Sequence, residues 1–256
     1  MPAFSVAAMA QVAPTSNPNG AYTQIAANST PQTLTQMSLA QLGNVEVTTA
    51  TKEPEEVWNT PSAIYVITQD DIRRSGVTTI PDALRLAPGV QVSEIDSNHW
   101  AVGIRGFASQ FSRSVLVLID GRSVYTPLFA GVYWDVQNVM LEDVDRIEVI
   151  RGPGGTIWGS NAVNGVINII TKNSKETQGA LVTAESGNVE HFRGGVRYGG
   201  SHGRNFTYRI YGMGFNRGAE FHPDGDPFDD WWNTQGGFRM DWTSGQRDSF
   251  TFQGDI

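Results

Sequence analysis

The C-terminal part of this chain alternates between apolar and polar residues, and that pattern leaves few folds open to it. "EHFRGGVRYGG" sets Phe192, Val196 and Tyr198 against His191, Arg193 and Arg197. "NFTYRIYG" sets Phe206, Tyr208 and Ile210 against Thr207 and Arg209. "TQGGFRMDW" places Phe238, Met240 and Trp242 opposite Gln235, Arg239 and Asp241, and "SFTFQGD" places Phe250 and Phe252 opposite Thr251, Gln253 and Asp255. Turn-forming residues separate these segments, and nothing helical interrupts them. A period of two means antiparallel hairpins with one apolar and one polar face. A soluble sandwich also alternates. Here, however, the polar face carries Arg and Asp, and the apolar face is aromatic and interleaved with Gly, as in a membrane barrel with a polar interior. About five strands are too few to close, and a bilayer does not tolerate open edges. The segment therefore reads as the first part of a larger barrel.

Residues 45–172 follow a different grammar, that of a compact α/β unit. "SAIYVIT" (62–68) is a strand; Thr68 is placed to cap a following helix, with Asp71 completing a capping box and Gly76 stopping it. "TTIPDALRLAPG" (78–89) reads as a second short helix with Pro81 in its first turn and Pro88-Gly89 at its end. "VQVSE" and "AVGIRGF" follow as strands. "SVLVLIDGRSVYT" is a hairpin around Asp120-Gly121, a pair suited to a type I′ turn. Its first strand is apolar on both faces, so burial on both sides is expected.

The stretch "RIEVIRGPGGTIWGSNAVNGVINIITK" (146–172) raises the question of a phosphate-binding loop. A P-loop needs Lys after its last glycine, but Ser160 and Asn161 follow Gly159. A dinucleotide loop needs a third glycine where Ile157 stands, and a helix where "VNGVINIIT" reads as strand. The glycines instead suit tight turns and close backbone approach.

Composition narrows the partners. A net charge of −8 argues against nucleic acid, and the absence of Cys excludes disulfides and thiolate metal sites. No apolar run is long enough for a transmembrane helix, a test blind to transmembrane strands. Residues 1–51 hold no Lys or Arg and one acid, Glu46. "AFSVAAMAQVAP" resembles the end of a secretory leader whose start is missing, with Ala8-Met9-Ala10 as its cleavage site. A polar linker over residues 11–35 follows. The four histidines lack metal-ligand spacing, the serine of "WGSNAVNG" lacks a nucleophile elbow, and "DGDPFDD" lacks the calcium-loop pattern. No catalytic, metal or cofactor site is expected, and the chain does not read as an enzyme.

Four ordered stretches carry a resemblance: "PSAIYVITQDDIRRSGVTTIPDALRLAPGVQV", "AVGIRGF", "VLVLIDGRSVY" and "EDVDRIEVIRGPGGTIWGSNAVNGVINIITK". Together they resemble the TonB-dependent outer-membrane receptors, in which an α+β plug sits inside a 22-stranded transmembrane β-barrel. The resemblance implies a leader and linker over residues 1–43, a plug of small mixed sheet and short helices over 44–175, and the first antiparallel strands of a truncated barrel over 176–256.

It also implies functional residues. Arg105 in "IRGF" and Arg151 in "IRGP" match family arginines that lock the plug to glutamates on missing barrel strands. Phe111, Ser112, Tyr133 and Trp134 occupy plug loops that contact ligand, where exposed aromatics suit a large organic chelate. Val45, Glu46, Val47 and Thr48, within "NVEVTTA" (44–50), fit a TonB box, which binds its partner by strand addition. The same residues also read simply as the plug's first strand. The implied function is energised uptake of a ferric siderophore, cobalamin or similar nutrient across the outer membrane of a Gram-negative-type bacterium. Its partners are TonB, outer-membrane lipid and an extracellular metal chelate or vitamin. The alternative is a periplasmic plug-like binding module without transport.

Overall fold

A computed structural model describes residues 10–12, 46–49, 55–56, 60, 62–223, 225, 227–244 and 248–256. The expected leader and linker over residues 1–43 lie outside the described residues, apart from 10–12.

The short early strands are β1 (Ala10–Val12), β2 (Glu46–Val47) and β3 (Glu55–Glu56), with β2 and β3 paired antiparallel. β4 (Ile64–Thr68) leads into α1 (Gln69–Ser75). Thr68 and Asp71 form the expected reciprocal capping box, and Gly76 ends the helix in a left-handed conformation. α2 (Ile80–Leu84) is shorter than the sequence suggests. After Leu84 the backbone tightens into bonds from Leu86 to Ala83 and from Ala87 to Leu84. Pro88 disfavours helical geometry in the residue before it, so the chain cannot continue as α-helix.

β5 (Val90–Glu94) and β6 (Trp100–Ile104) form one hairpin, and β7 (Val115–Ile119) and β8 (Arg122–Ser123) another. Asp120 and Gly121 sit at φ 49° and 79°, the two positive angles that a type I′ turn requires. β9 (Val144–Arg151), a single helical turn α3 (Gly155–Trp158) and β10 (Gly165–Thr171) complete the unit. Its sheet runs β4-β9-β10-β7-β8 and is mixed, because β10 pairs parallel with β7 and the remaining neighbours are antiparallel.

The sheet is buried on both faces. Ile67, Val115, Val117, Ile147, Val149, Ile167 and Ile169 join α1, α2 and β6 in one core. Ile64, Leu116, Leu118, Ile150 and Val166 form a second core on the other face, together with Val47. The two-sided burial expected for β7 is what the structure shows. The glycine-rich stretch turns and packs tightly, as expected. A Cβ on Gly165 would lie 2.4 Å from the Ile150 carbonyl oxygen and 2.5 Å from Ile104 Cδ1.

Five strands follow: β11 (Gly179–Glu185), β12 (Glu190–His202), β13 (Phe206–Arg217), β14 (Trp231–Ser244) and β15 (Asp248–Asp255). They form one antiparallel sheet in sequence order, with β1 on the outer side of β11. β12, β13 and β14 contain 13, 12 and 14 residues, each more than the roughly 9–11 that a tilted strand needs to cross a bilayer. The face turned away from the α/β unit exposes Val182, Val196, Tyr198, Ile210, Trp232, Trp242, Phe250 and Phe252. The opposite face buries Arg209, Met213, Phe215, Arg217 and Asp241. No helix among the described residues is long and apolar enough to cross a membrane.

Candidate functional site

The α/β unit is fastened to the polar face of the wall by ionic and hydrogen-bonded contacts. Asp143, in the 3-10 turn before β9, is almost wholly buried and bonds Arg197 of β12. Its second oxygen lies 3.6 Å from the Arg209 guanidinium of β13. Arg209 also donates to the Lys172 carbonyl at 2.7 Å and to Thr171 Oγ1 at 2.9 Å. Thr171 Oγ1 is a hub: it donates to Asp120 at 2.8 Å and accepts from Arg209 and from Arg239, the latter at 3.0 Å. Three residues on from Thr171, the Ser174 N–H donates to Asp241 of β14 at 2.8 Å. Burial pushes the Lys172 ammonium below its ordinary pKa, with neighbouring Asp143 working against the shift. A polar cavity of about 400 Å³ remains between unit and wall, lined by Asp120, Asp143, Arg209, Tyr211 and Arg239 among others.

A second fastening lies at the far end of β13 and β14. Ser97, at the tip of the β5–β6 hairpin, is fully buried. Its N–H donates to the Asp229 carboxylate at 2.9 Å, its hydroxyl to the Asp229 carbonyl, and its own carbonyl accepts from Arg217 at 2.7 Å. His222 Nε2 lies 2.8 Å from the same carboxylate. Burial works to raise the Asp229 pKa, but the hydrogen bonds from His222, Ser97 and Glu220 outweigh it and hold the group below the usual carboxylate range. Asp229, near the end of the "DGDPFDD" stretch that offers no calcium-loop pattern, instead takes part in this contact. Beside it, Phe111, Phe129 and Tyr133 form a chain of edge-to-face rings with centroids 5.1 Å and 4.8 Å apart. Burial raises the Asp135 carboxyl above its ordinary pKa nearby.

The profile of the TonB-dependent receptor plug domain matches residues 56–166. Residues 56–166 are a TonB-dependent receptor plug domain. The vitamin B12 transporter BtuB of Vibrio cholerae is 34% identical over 154 residues, which cover 59% of this chain and 24% of that protein. The iron-regulated outer membrane virulence protein of the same species is 34% identical over 136 residues, 51% of this chain and 20% of that protein. The chain thus spans about a quarter of the length of these curated relatives. Among solved structures, the ferric-catecholate import receptor Fiu from E. coli K12 superposes with a TM-score of 0.57 at 26% identity, covering 79% of this chain and 27% of that one.

The structure separates the plug residues singled out from sequence. Phe111 is exposed, and Ser112 and Tyr133 are half-buried beside it. Trp134 was expected at an exposed loop tip but is 7% exposed and packs in the plug core, because Val132, Trp100 and β7 close around it. Arg105 is exposed, at φ 54°, and among the described residues its guanidinium has no ion pair. Arg151 donates to the Pro88 carbonyl at 3.1 Å. Both arginines sit on the side of the plug sheet opposite the Thr171 end that meets the wall. Val45 lies outside the described residues; Glu46 and Val47 are extended, Val47 is buried in the second core, and Thr48 is half-buried.

Sequence reasoning found the wall arginines as a polar face but missed their partners. Asp120 reads only as a turn residue, Asp143 and Thr171 lie inside a quoted stretch without being singled out, and Ser174 lies just beyond it. The usable signal was complementarity: "EDVD" (142–145) in the plug against Arg197 and Arg209 on the wall, and Asp120 against Arg239.

Proposed function

We propose that this chain belongs to an outer-membrane TonB-dependent receptor that imports a scarce nutrient, of the ferric siderophore or cobalamin class, with the plug gating the barrel. The observation that carries this reading is the two-faced wall. Its charged face grips a plug, and its other face presents Val, Ile, Tyr, Trp and Phe on strands long enough to cross a bilayer. A water-soluble binding module has no use for such an outer face. Phe111, Ser112 and Tyr133 are the proposed ligand contacts, with Trp134 supporting them from the core. Arg105 and Arg151 are proposed to meet carboxylates on wall segments beyond those described. Residues 45–48 are the proposed TonB-coupling segment, taken up by strand addition, which reads backbone donors.

The test uses the full-length protein in its own outer membrane. It should fractionate with that membrane, migrate as a heat-modifiable barrel, and accumulate labelled cobalamin or a labelled ferric chelate only in energised cells. Val47→Pro removes a backbone donor and should abolish accumulation while ligand binding persists. Recovery of the full-length protein as a soluble periplasmic species would instead support a binding module without transport.

A further inference from the structure

β9 carries one residue that its strand does not explain. Glu148 is fully buried, on a sheet face it shares with Arg146 and Asn168 and with the apolar Ile64, Leu116, Leu118, Ile150 and Val166. A carboxylate there costs several kcal/mol unless its oxygens are satisfied. The satisfaction comes from a segment a hundred residues away. Glu148 accepts the backbone N–H of Thr48 at 3.1 Å and of Thr49 at 2.8 Å, and Arg146 Nε at 2.8 Å. Thr49 is held at every polar atom. Its carbonyl accepts from Trp158 Nε1 at 2.7 Å, and its hydroxyl accepts from Asn168 Nδ2 at 3.1 Å. Asn168 and Glu148 are cross-strand partners in the register of β9 and β10. Three elements therefore converge on two consecutive residues, and Val47 beside them fills the apolar core.

We propose that Glu148 is the latch that holds the segment 46–49 on the plug, and that this latch sets the threshold for drawing the segment off. Glu148 reads the backbone amides of the bend at Thr48 and Thr49 that directly follows β2, so these bonds do not depend on the two side chains. The latch is also cooperative. Removing Thr48 and Thr49 leaves a buried carboxylate with Arg146 alone, and strips Trp158 and Asn168 of the bonds they make to Thr49. Partial withdrawal is therefore disfavoured, and the segment is either docked or gone. Glu148 acts as a positioning residue. The role given to release rests on the proposed energised import, whereas the latch itself does not.

The experiment is hydrogen exchange on the full-length receptor in membrane vesicles, followed in peptides covering 46–49, β9 and β10. Glu148→Gln keeps the side-chain size but replaces one acceptor oxygen with an amide that cannot take an N–H. A bond to a charged group is worth enough that exchange at Thr48 and Thr49 should rise about tenfold or more, with β9 and β10 at the wild-type rate. Trp158→Phe removes one donor, keeps most of the ring, and should raise exchange at the same two residues to a smaller degree. It serves as the second variant if Glu148→Gln does not assemble. Unchanged protection at Thr48 and Thr49 in both variants overturns the latch. A rise spread evenly over the whole plug also overturns it, by making Glu148 an ordinary core residue. If exchange rises locally while Val47→Pro still imports, the latch stands and the assignment of residues 45–48 as the coupling segment falls.

Discussion

At the scale of single residues, burial decides which charges matter. Asp143 and Arg122 both pair with wall residues, but in opposite settings. Asp143 is buried against two buried arginines, whereas the Arg122–Asp255 pair, at 3.4 Å, is exposed on both sides. Asp143→Ala strands Arg197 and Arg209 without their carboxylate, and breaking a buried pair costs about 3–5 kcal/mol. Arg122→Ala should cost about 0–1 kcal/mol. In the full-length protein, Asp143→Ala should speed amide exchange across 141–143 and 171–177, whereas Arg122→Ala should leave it near wild type. Equal behaviour of the two variants would show that water fills the interface and levels the difference. This is also where the sequence was least legible. A carboxylate in "EDVD" carries no mark of what it faces, because its partners lie some fifty to sixty-five residues downstream on separate strands. Asp120 and Asp143 lay in quoted stretches too, but the resemblance gave a role to Arg105 and Arg151 and none to either aspartate.

At the scale of elements, what was legible was whatever is local. The capping box of α1, the type I′ turn at Asp120-Gly121 and the alternation of β12 to β15 each depend on residues within a few positions of one another. The fold made them as the sequence suggested. The mixed pairing of β7 with β10 depends on a crossover through β9, and no local pattern announces it. Gly165 lies between these two cases. Its place before "VINIIT" suggested close approach, but only the fold shows what approaches. An added methyl there meets the backbone of β9 and the side chain of β6 together, so neither can yield alone. Gly165→Ala should destabilise the plug toward the upper end of the roughly 1–3 kcal/mol typical of overpacking. Chemical denaturation of the full-length protein in detergent measures it. A midpoint unchanged from wild type would mean that β9 and β10 separate more easily than their shared core implies.

At the scale of the whole molecule, the plug and the wall are unequal partners. Apart from one apolar contact of Met140 with Leu181 and Met213, the side of the plug that meets the wall is polar, with Asp120, Asp143, Lys172 and Ser174, so water can replace most of what the wall supplies. The wall's other face has no such substitute. Val182, Val196, Ile210, Trp232, Trp242, Phe250 and Phe252 form one exposed apolar surface across β11 to β15. Contiguous apolar patches beyond a few hundred Å² are rare on soluble monomers. A polypeptide of residues 44–177, which keeps Val47 and the Thr48–Thr49 contacts of Glu148, should therefore be soluble and unfold cooperatively on its two-faced core. In that polypeptide Asp143→Ala should be nearly neutral, because the carboxylate is hydrated and strands no arginine. The polypeptide of residues 1–256 should associate in water and disperse only in detergent or lipid. Sedimentation at matched concentration distinguishes the two. A monodisperse, detergent-free 1–256 polypeptide would show that the aromatic face is covered by protein rather than by lipid, and would remove the main physical ground for placing these strands in a membrane.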